Sequence, residues 1–236
     1  MNLDSVAGGP KRRVELFGQL GKKRASAVTG WLRAGPAECH PTPRATGSRE
    51  TPPDLTGSGG GADRDQLVLR TSRDGLAATA GHDLTLEVTR WSGELTVAED
   101  SIPTALDVRA DMTSLAVLSG TGGVKPLSDR DKREIVSTAR KTLGGDRHPE
   151  ATFGNATFAP GAAGGGTISG TLTLAGQSGP VELQVTQVGE DRYHATGTVV
   201  QTAFGIKPYR GFFGALRVSD PVQVEADVDL SQPDGA

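Results

Sequence analysis

His82-Asp83 is the one adjacent histidine–carboxylate pair in the chain, an arrangement that could serve a general base with its ring oriented by the acid. Such chemistry needs a nucleophile beside it, and neither Ser169 nor Ser178 stands in a Gly-x-Ser-x-Gly elbow. His40, His148 and His194 are scattered without ligand spacing, and Cys39-His40 lies in a Pro-rich stretch, so no metal site is expected. His82 then reads as a structural histidine at a strand start. Gly120-Thr121-Gly122-Gly123-Val124-Lys125 has the setting of a phosphate loop but lacks its Gly-Lys-Ser/Thr ending. It reads as a flexible loop whose Lys could meet an anionic head group. The third cluster is Phe204 to Gly214, which holds four of the ten aromatics: Phe204, Tyr209, Phe212 and Phe213. It is either an aromatic core under a loop or the lining of an apolar ligand site, with Lys207 or Arg210 available to an acidic head.

Alternation of apolar and polar residues governs what must position these groups. Val222, Val224, Ala226, Val228 and Leu230 face one way, and Gln223, Glu225, Asp227 and Asp229 the other. Strand side chains alternate between faces, so this segment predicts a strand with one dry side. Leu84, Leu86 and Val88 repeat the pattern, as do Leu172 and Leu174, and Val181, Leu183 and Val185. The turn Ala175 to Pro180 predicts a hairpin between the last two. Further runs begin near Gln66, Gly93, Thr104, Ala151 and Tyr193. One helix interrupts them, with Ser128 as N-cap, Asp129 and Asp131 in its first turn, and Gly144-Gly145 as its stop. One-sided strands favour an antiparallel sheet, and a barrel of about eight strands would cover the dry face. Large inward fillers are scarce, which favours an internal apolar cavity.

Composition divides the 236 residues near position 63. Residues 1–63 hold six of the 14 prolines and carry nine basic against six acidic side chains, whereas the remainder carries 16 against 22. The expectation is a flexible, basic, Pro/Gly-rich extension over 1–63, a β-barrel domain over 64–231, and a tail over 232–236. Residues 11–33 show a loose helical spacing and read mainly as disordered; the alternative is a basic amphipathic segment touching a membrane surface. A net charge of -3 gives no field for holding nucleic acid. No apolar run is long enough for a membrane helix, and no compact export signal is visible, so a cytoplasmic protein is expected.

His82-Asp83-Leu84, Trp91-Ser92-Gly93, Gly170 to Gly176 with Pro180-Val181, and Phe204-Gly205-Ile206 through Ser219-Asp220-Pro221-Val222 together resemble the YceI-like family. The resemblance covers about residues 64–231. It departs at Gln201-Thr202-Ala203, where relatives carry charge, and between Ser119 and Lys141. It implies an eight-stranded lipocalin-like antiparallel barrel, here with one inserted helix, that binds an isoprenoid or similar long-chain lipid without enzymatic turnover or cofactor. Leu84, Leu86, Leu172, Leu174, Phe204, Tyr209, Phe212 and Phe213 are the expected lining, and His82, Lys207 and Arg210 the candidates for the head group. A packed interaction or stress-response barrel is the alternative, then an enzyme acting on an amphiphile with His82 as base. A homodimer is left open.

Overall fold

The computed structural model describes residues 12–17, 65–97, 103–161 and 164–230. The rest of the expected extension and the tail lie outside these residues. Fourteen strands run in chain order: β1 (Arg12–Phe17), β2 (Gln66–Thr71), β3 (Arg73–Asp74), β4 (His82–Val88), β5 (Trp91–Val97), β6 (Pro103–Asp111) and β7 (Leu115–Gly122). After the helix α1 (Asp129–Thr142) come β8 (Glu150–Pro160), β9 (Gly166–Leu174), β10 (Gln177–Gly189), β11 (Arg192–Val200), β12 (Arg210–Gly211), β13 (Leu216–Val218) and β14 (Pro221–Asp229).

Eleven of them form one antiparallel sheet in the order β1-β5-β6-β8-β9-β10-β11-β14-β2-β4-β7. The sheet curls around a central space as a half-barrel, with β1 and β7 as its edges. Its ten strands besides β1 replace the eight expected from sequence. The extra count has a local cause at the corners that join β4 to β5 and β6 to β7. There Asp111 N–H donates to the Arg90 carbonyl at 2.9 Å and Thr89 N–H to the Ser114 carbonyl at 3.2 Å. Chain that continues in one direction is thereby divided into two strands on different walls. β1 falls inside the expected extension and within its stretch of helical spacing, yet it pairs with β5 from Arg12↔Val97 to Phe17↔Ser92.

The alternating pattern places the dry face inward. On β14, Val222, Val224, Ala226 and Val228 face the central space, as does Leu230 just past its end. Its outer face carries cross-strand ion pairs: Arg70 with Glu225 at 2.8 Å and Arg192 with Asp229 at 3.3 Å. Val88, 1 % exposed, anchors a core that includes Trp91, Leu115, Phe153 and Val199; burial of one such side chain stabilises the fold by roughly 1.5–3 kcal/mol. The β9–β10 turn is tighter than the sequence suggests. Ala175 and Gly176 both have positive φ, 52° and 78°, so two residues make the connection and Gln177 to Pro180 already belong to β10. A second sheet of three short strands, β12-β13-β3, forms beside the large one.

Helix α1 begins with a capping box. The Ser128 hydroxyl accepts from Asp131 N–H at 3.2 Å, and the Asp131 carboxylate accepts from Ser128 N–H at 3.0 Å. Ser128 and Lys125 therefore hold the Asp131 carboxyl below the usual carboxylate range, the Ser128 backbone N–H contributing most. None of the helix residues is fully buried, because the face carrying Ile135 and Ala139 borders the central space.

Candidate functional site

The space inside the sheet is a cavity of about 1070 Å³, bordered by side chains from β2 to β11, β13, β14 and α1. Aliphatic side chains dominate the wall: Leu67, Leu69, Leu106, Val108, Ile168, Leu183 and Val224 among them. Many wall residues are only half-buried, since the cavity itself reaches them. Aromatic rings also border it, among them Trp91 and Phe153, 8 % and 9 % exposed respectively.

Four of the expected lining residues, Leu84, Leu86, Leu172 and Leu174, border the cavity, and so does Tyr209. Phe204 does not: it is buried in the core, its ring lying 3.4 Å from where a side chain on Gly179 would begin. A short helical turn, residues 201–204, ends the alternation of the preceding strand, whose inward face carries Tyr193, Ala195 and Val199, and folds Phe204 into the core. Phe213 points into solvent, fully exposed, because its φ of 55° turns the chain outward. The Phe212 side chain lies outside the described residues. Lys207 and Arg210 are exposed and do not border the cavity, whereas His82 does.

His82 and Asp83 do not act on one another. Neighbouring residues of a strand point to opposite faces, and here Asp83 accepts from Arg73 N–H at 2.8 Å while His82 Nε2 lies 2.8 Å from the Lys125 carbonyl. The pair therefore ties two loops to β4 rather than forming a catalytic dyad. Arg73 completes this tie, donating to the Gly81 carbonyl at 2.7 Å. Its guanidinium lies against Gly122, whose φ of 80° and missing side chain both suit that approach.

Residues that border the cavity and also reach solvent mark its openings: Pro160, Gly161, Gly164 and Asp191 mark one, and a second group marks the charged mouth. Tyr209 (42 % exposed), Lys125, Arg217 and His82 are such residues, joined there by Arg73 and Leu216. Arg217 pairs with Asp74 at 3.0 Å, Lys125 with Asp131 at 3.5 Å, and Arg73 with Asp83 at 3.8 Å. The mouth is thus polar and charged around an apolar interior. Sequence reading placed Lys125 as a residue that could meet a head group but missed Arg73 and Arg217, which the β13–β3 pairing brings together, while the His82–Lys125 bond holds Lys125 beside them. It also missed Thr71, which borders the cavity and whose Oγ1 is the one buried side-chain polar atom without a hydrogen-bond partner among the described residues.

Residues 68–230 match the family model described as YceI-like domain. Among solved structures, the chain is similar to BcnA of Burkholderia cenocepacia at 14 % identity, covering 69 % of this chain and 94 % of that one, with a TM-score of 0.48. It is also similar to the YCEI protein of Campylobacter jejuni at 13 % identity, covering 81 % of this chain and 94 % of that one, with a TM-score of 0.43. No curated protein matches the chain.

Proposed function

The chain belongs to the YceI-like domain family, and on that premise we propose that it binds the hydrocarbon chain of an isoprenoid-like lipid, or another long amphiphile, without chemical turnover. The observation that carries this reading is the apolar cavity of about 1070 Å³. Small-molecule sites span roughly 300–1,000 Å³, so this one has room for a ligand at the large end. Water there would meet walls offering few hydrogen-bond partners, whereas each methylene transferred from water contributes about 0.8 kcal/mol. A five-carbon unit then yields a few kcal/mol, offset in part by association and ordering costs. Dispersion and desolvation are non-directional, so the site selects for width and length more than for chemical detail. The polar end of the guest rests at the mouth, among His82, Lys125, Tyr209 and Arg217.

The rival readings need features that the geometry lacks. A packed interaction module would fill its interior with its own atoms. An enzyme with His82 as base oriented by Asp83 would need the two side chains paired, yet Asp83 accepts from Arg73 N–H and His82 bonds to the Lys125 carbonyl. Native mass spectrometry after gentle purification, with solvent extraction and titration of a prenyl quinone, tests the proposal. A co-purifying lipid or saturable uptake is expected; repeated absence of both would sink it.

A further inference from the structure

We propose that the loops around the cavity mouth form a docking surface for an anionic lipid bilayer. Leu76 and Phe213, fully exposed, and Val124, 83 % exposed, are the three most exposed large apolar side chains among the described residues. They sit on three different loops, and the structure binds those loops into one cluster. Ala77 N–H donates to the Ala215 carbonyl at 2.9 Å, which places the Leu76 and Phe213 loops side by side. The His82–Lys125 bond and the seat of Arg73 against Gly122 draw in the loop that carries Val124. The same loops supply His82, Lys125, Tyr209 and Arg217 to the mouth, so the apolar tips surround the opening rather than being scattered over the surface.

Phe213 holds a left-handed backbone, a conformation costly for a bulky aromatic residue, and it leaves the ring in solvent. Charge indicates the partner. Residues 73–81, 123–127 and 205–217 contain Arg73, Lys125, Lys207, Arg210 and Arg217 and a single carboxylate, Asp74. Arg73, Lys125 and Arg217 are matched by Asp83, Asp131 and Asp74, leaving exposed Lys207 and Arg210 as a local basic surplus on a chain of net charge -3. Apolar tips flanked by basic groups suit the boundary of head groups and acyl chains in an anionic leaflet. The surface stands on its own geometry; its use, admitting a lipid directly from the bilayer, rests on the cavity reading.

The test is co-flotation of the full chain with phosphatidylcholine vesicles, with and without phosphatidylglycerol. Binding is expected with phosphatidylglycerol and is expected to weaken as salt rises. The triple variant Leu76→Ser/Val124→Ser/Phe213→Ser, whose changes lie in solvent and leave thermal unfolding unchanged, should bind at least about tenfold more weakly. Lys207→Gln/Arg210→Gln should lose about fivefold per charge on anionic vesicles. Ala195→Phe, which narrows the cavity far from these tips, should keep flotation and lose prenyl quinone uptake, so the two readings fail separately. Docking is overturned if the full chain does not float, or if the triple variant floats as well as the parent. It is equally overturned if the tips instead hold two copies together, seen as a sedimenting dimer that the triple variant abolishes.

Discussion

The ring of Phe153 occupies the space that a side chain on Gly170 would need: a Cβ there would lie 2.5 Å from Cζ of the ring and 3.0 Å from the Gly154 carbonyl oxygen. Gly170 shares the inward face of β9 with Ile168 and Leu172, so its missing side chain lets an aromatic ring lie flat on the wall instead of projecting across the cavity. Gly170→Ala is expected to push the ring inward and to cost about 1–3 kcal/mol. Thermal unfolding measures the cost, and titration with guests of increasing width should show the widest lost first. Unchanged unfolding and uptake together would show that the ring has another place to go.

Arg90 and Asp111 clamp the corner between the walls. Arg90 Nε donates to Asp111 Oδ2 at 2.9 Å, and Thr113 donates to Oδ1 through its N–H at 2.7 Å and its hydroxyl at 2.6 Å. Burial alone would raise the Asp111 carboxyl, but the hydrogen bonds from Thr113 and Arg90 outweigh it and hold the group below its ordinary value. A carboxyl depressed in the folded state contributes stability above its unfolded value, near pH 3.9, and loses that contribution as pH falls through the folded value. Asp111→Asn should therefore lower stability at neutral pH by about 1–2 kcal/mol. The gap to the parent should narrow below pH 4; an equal gap at every pH would exclude the carboxylate as its source.

The Ser128–Asp131 capping box makes a local prediction. Ser128→Ala is expected to cost about 1 kcal/mol and to raise amide hydrogen exchange in the first turn of α1 while leaving β9 to β11 unaffected. Since Asp131 and Ile135 border the cavity, release of a bound guest should quicken in the same variant. A uniform rise in exchange across the sheet would mean that the cap stabilises the whole fold instead.

Thr71 gives a prediction of the opposite sign. Its buried hydroxyl has no partner, and an unsatisfied buried group costs about 1–3 kcal/mol. Replacing the hydroxyl by a methyl in Thr71→Val should raise the thermal midpoint of the ligand-free protein. A fall would indicate that the hydroxyl is satisfied in solution.

Deleting residues 1–17 removes β1 and bares the edge of β5. An exposed strand edge is a template for pairing with another chain, and the deletion exchanges the β1 edge for that of β5, so the truncated protein should self-associate in sedimentation more readily than the full chain. The sequence reading expects few contacts from this region; the β1–β5 ladder changes that expectation for its first part.

Strand positions were legible because each strand has one wet and one dry face, and Val222 to Leu230 and Leu84 to Val88 show that period plainly. The helix was legible because Ser128 and Asp131 mark its start by chemistry and not by context. The corner at Arg90 and Asp111 was not, since the letters there continue an extended pattern and only pairing between distant segments reveals the bend. Phe204 and Phe213 lie away from the cavity because a helical turn and a left-handed residue end the two-residue period before it reaches them. The mouth was legible only in part: the Gly-rich loop of Lys125 was read as able to meet a head group, but Arg73 and Arg217 are far apart in the chain and meet through sheet pairing that single-sequence patterns do not encode.

The free margins at β1 and β7 bear on what can be accommodated. A sealed ring of strands fixes its own circumference, since widening it means breaking a ladder of hydrogen bonds. Here no ladder joins the two margins among the described residues, but β4 runs into β5 and β6 into β7 through the Arg90–Asp111 corner, so the two ends of the sheet are tied there and unladdered beyond it. Any change of girth would therefore be hinged at that corner, with the far margins of β1 and β7 left to move.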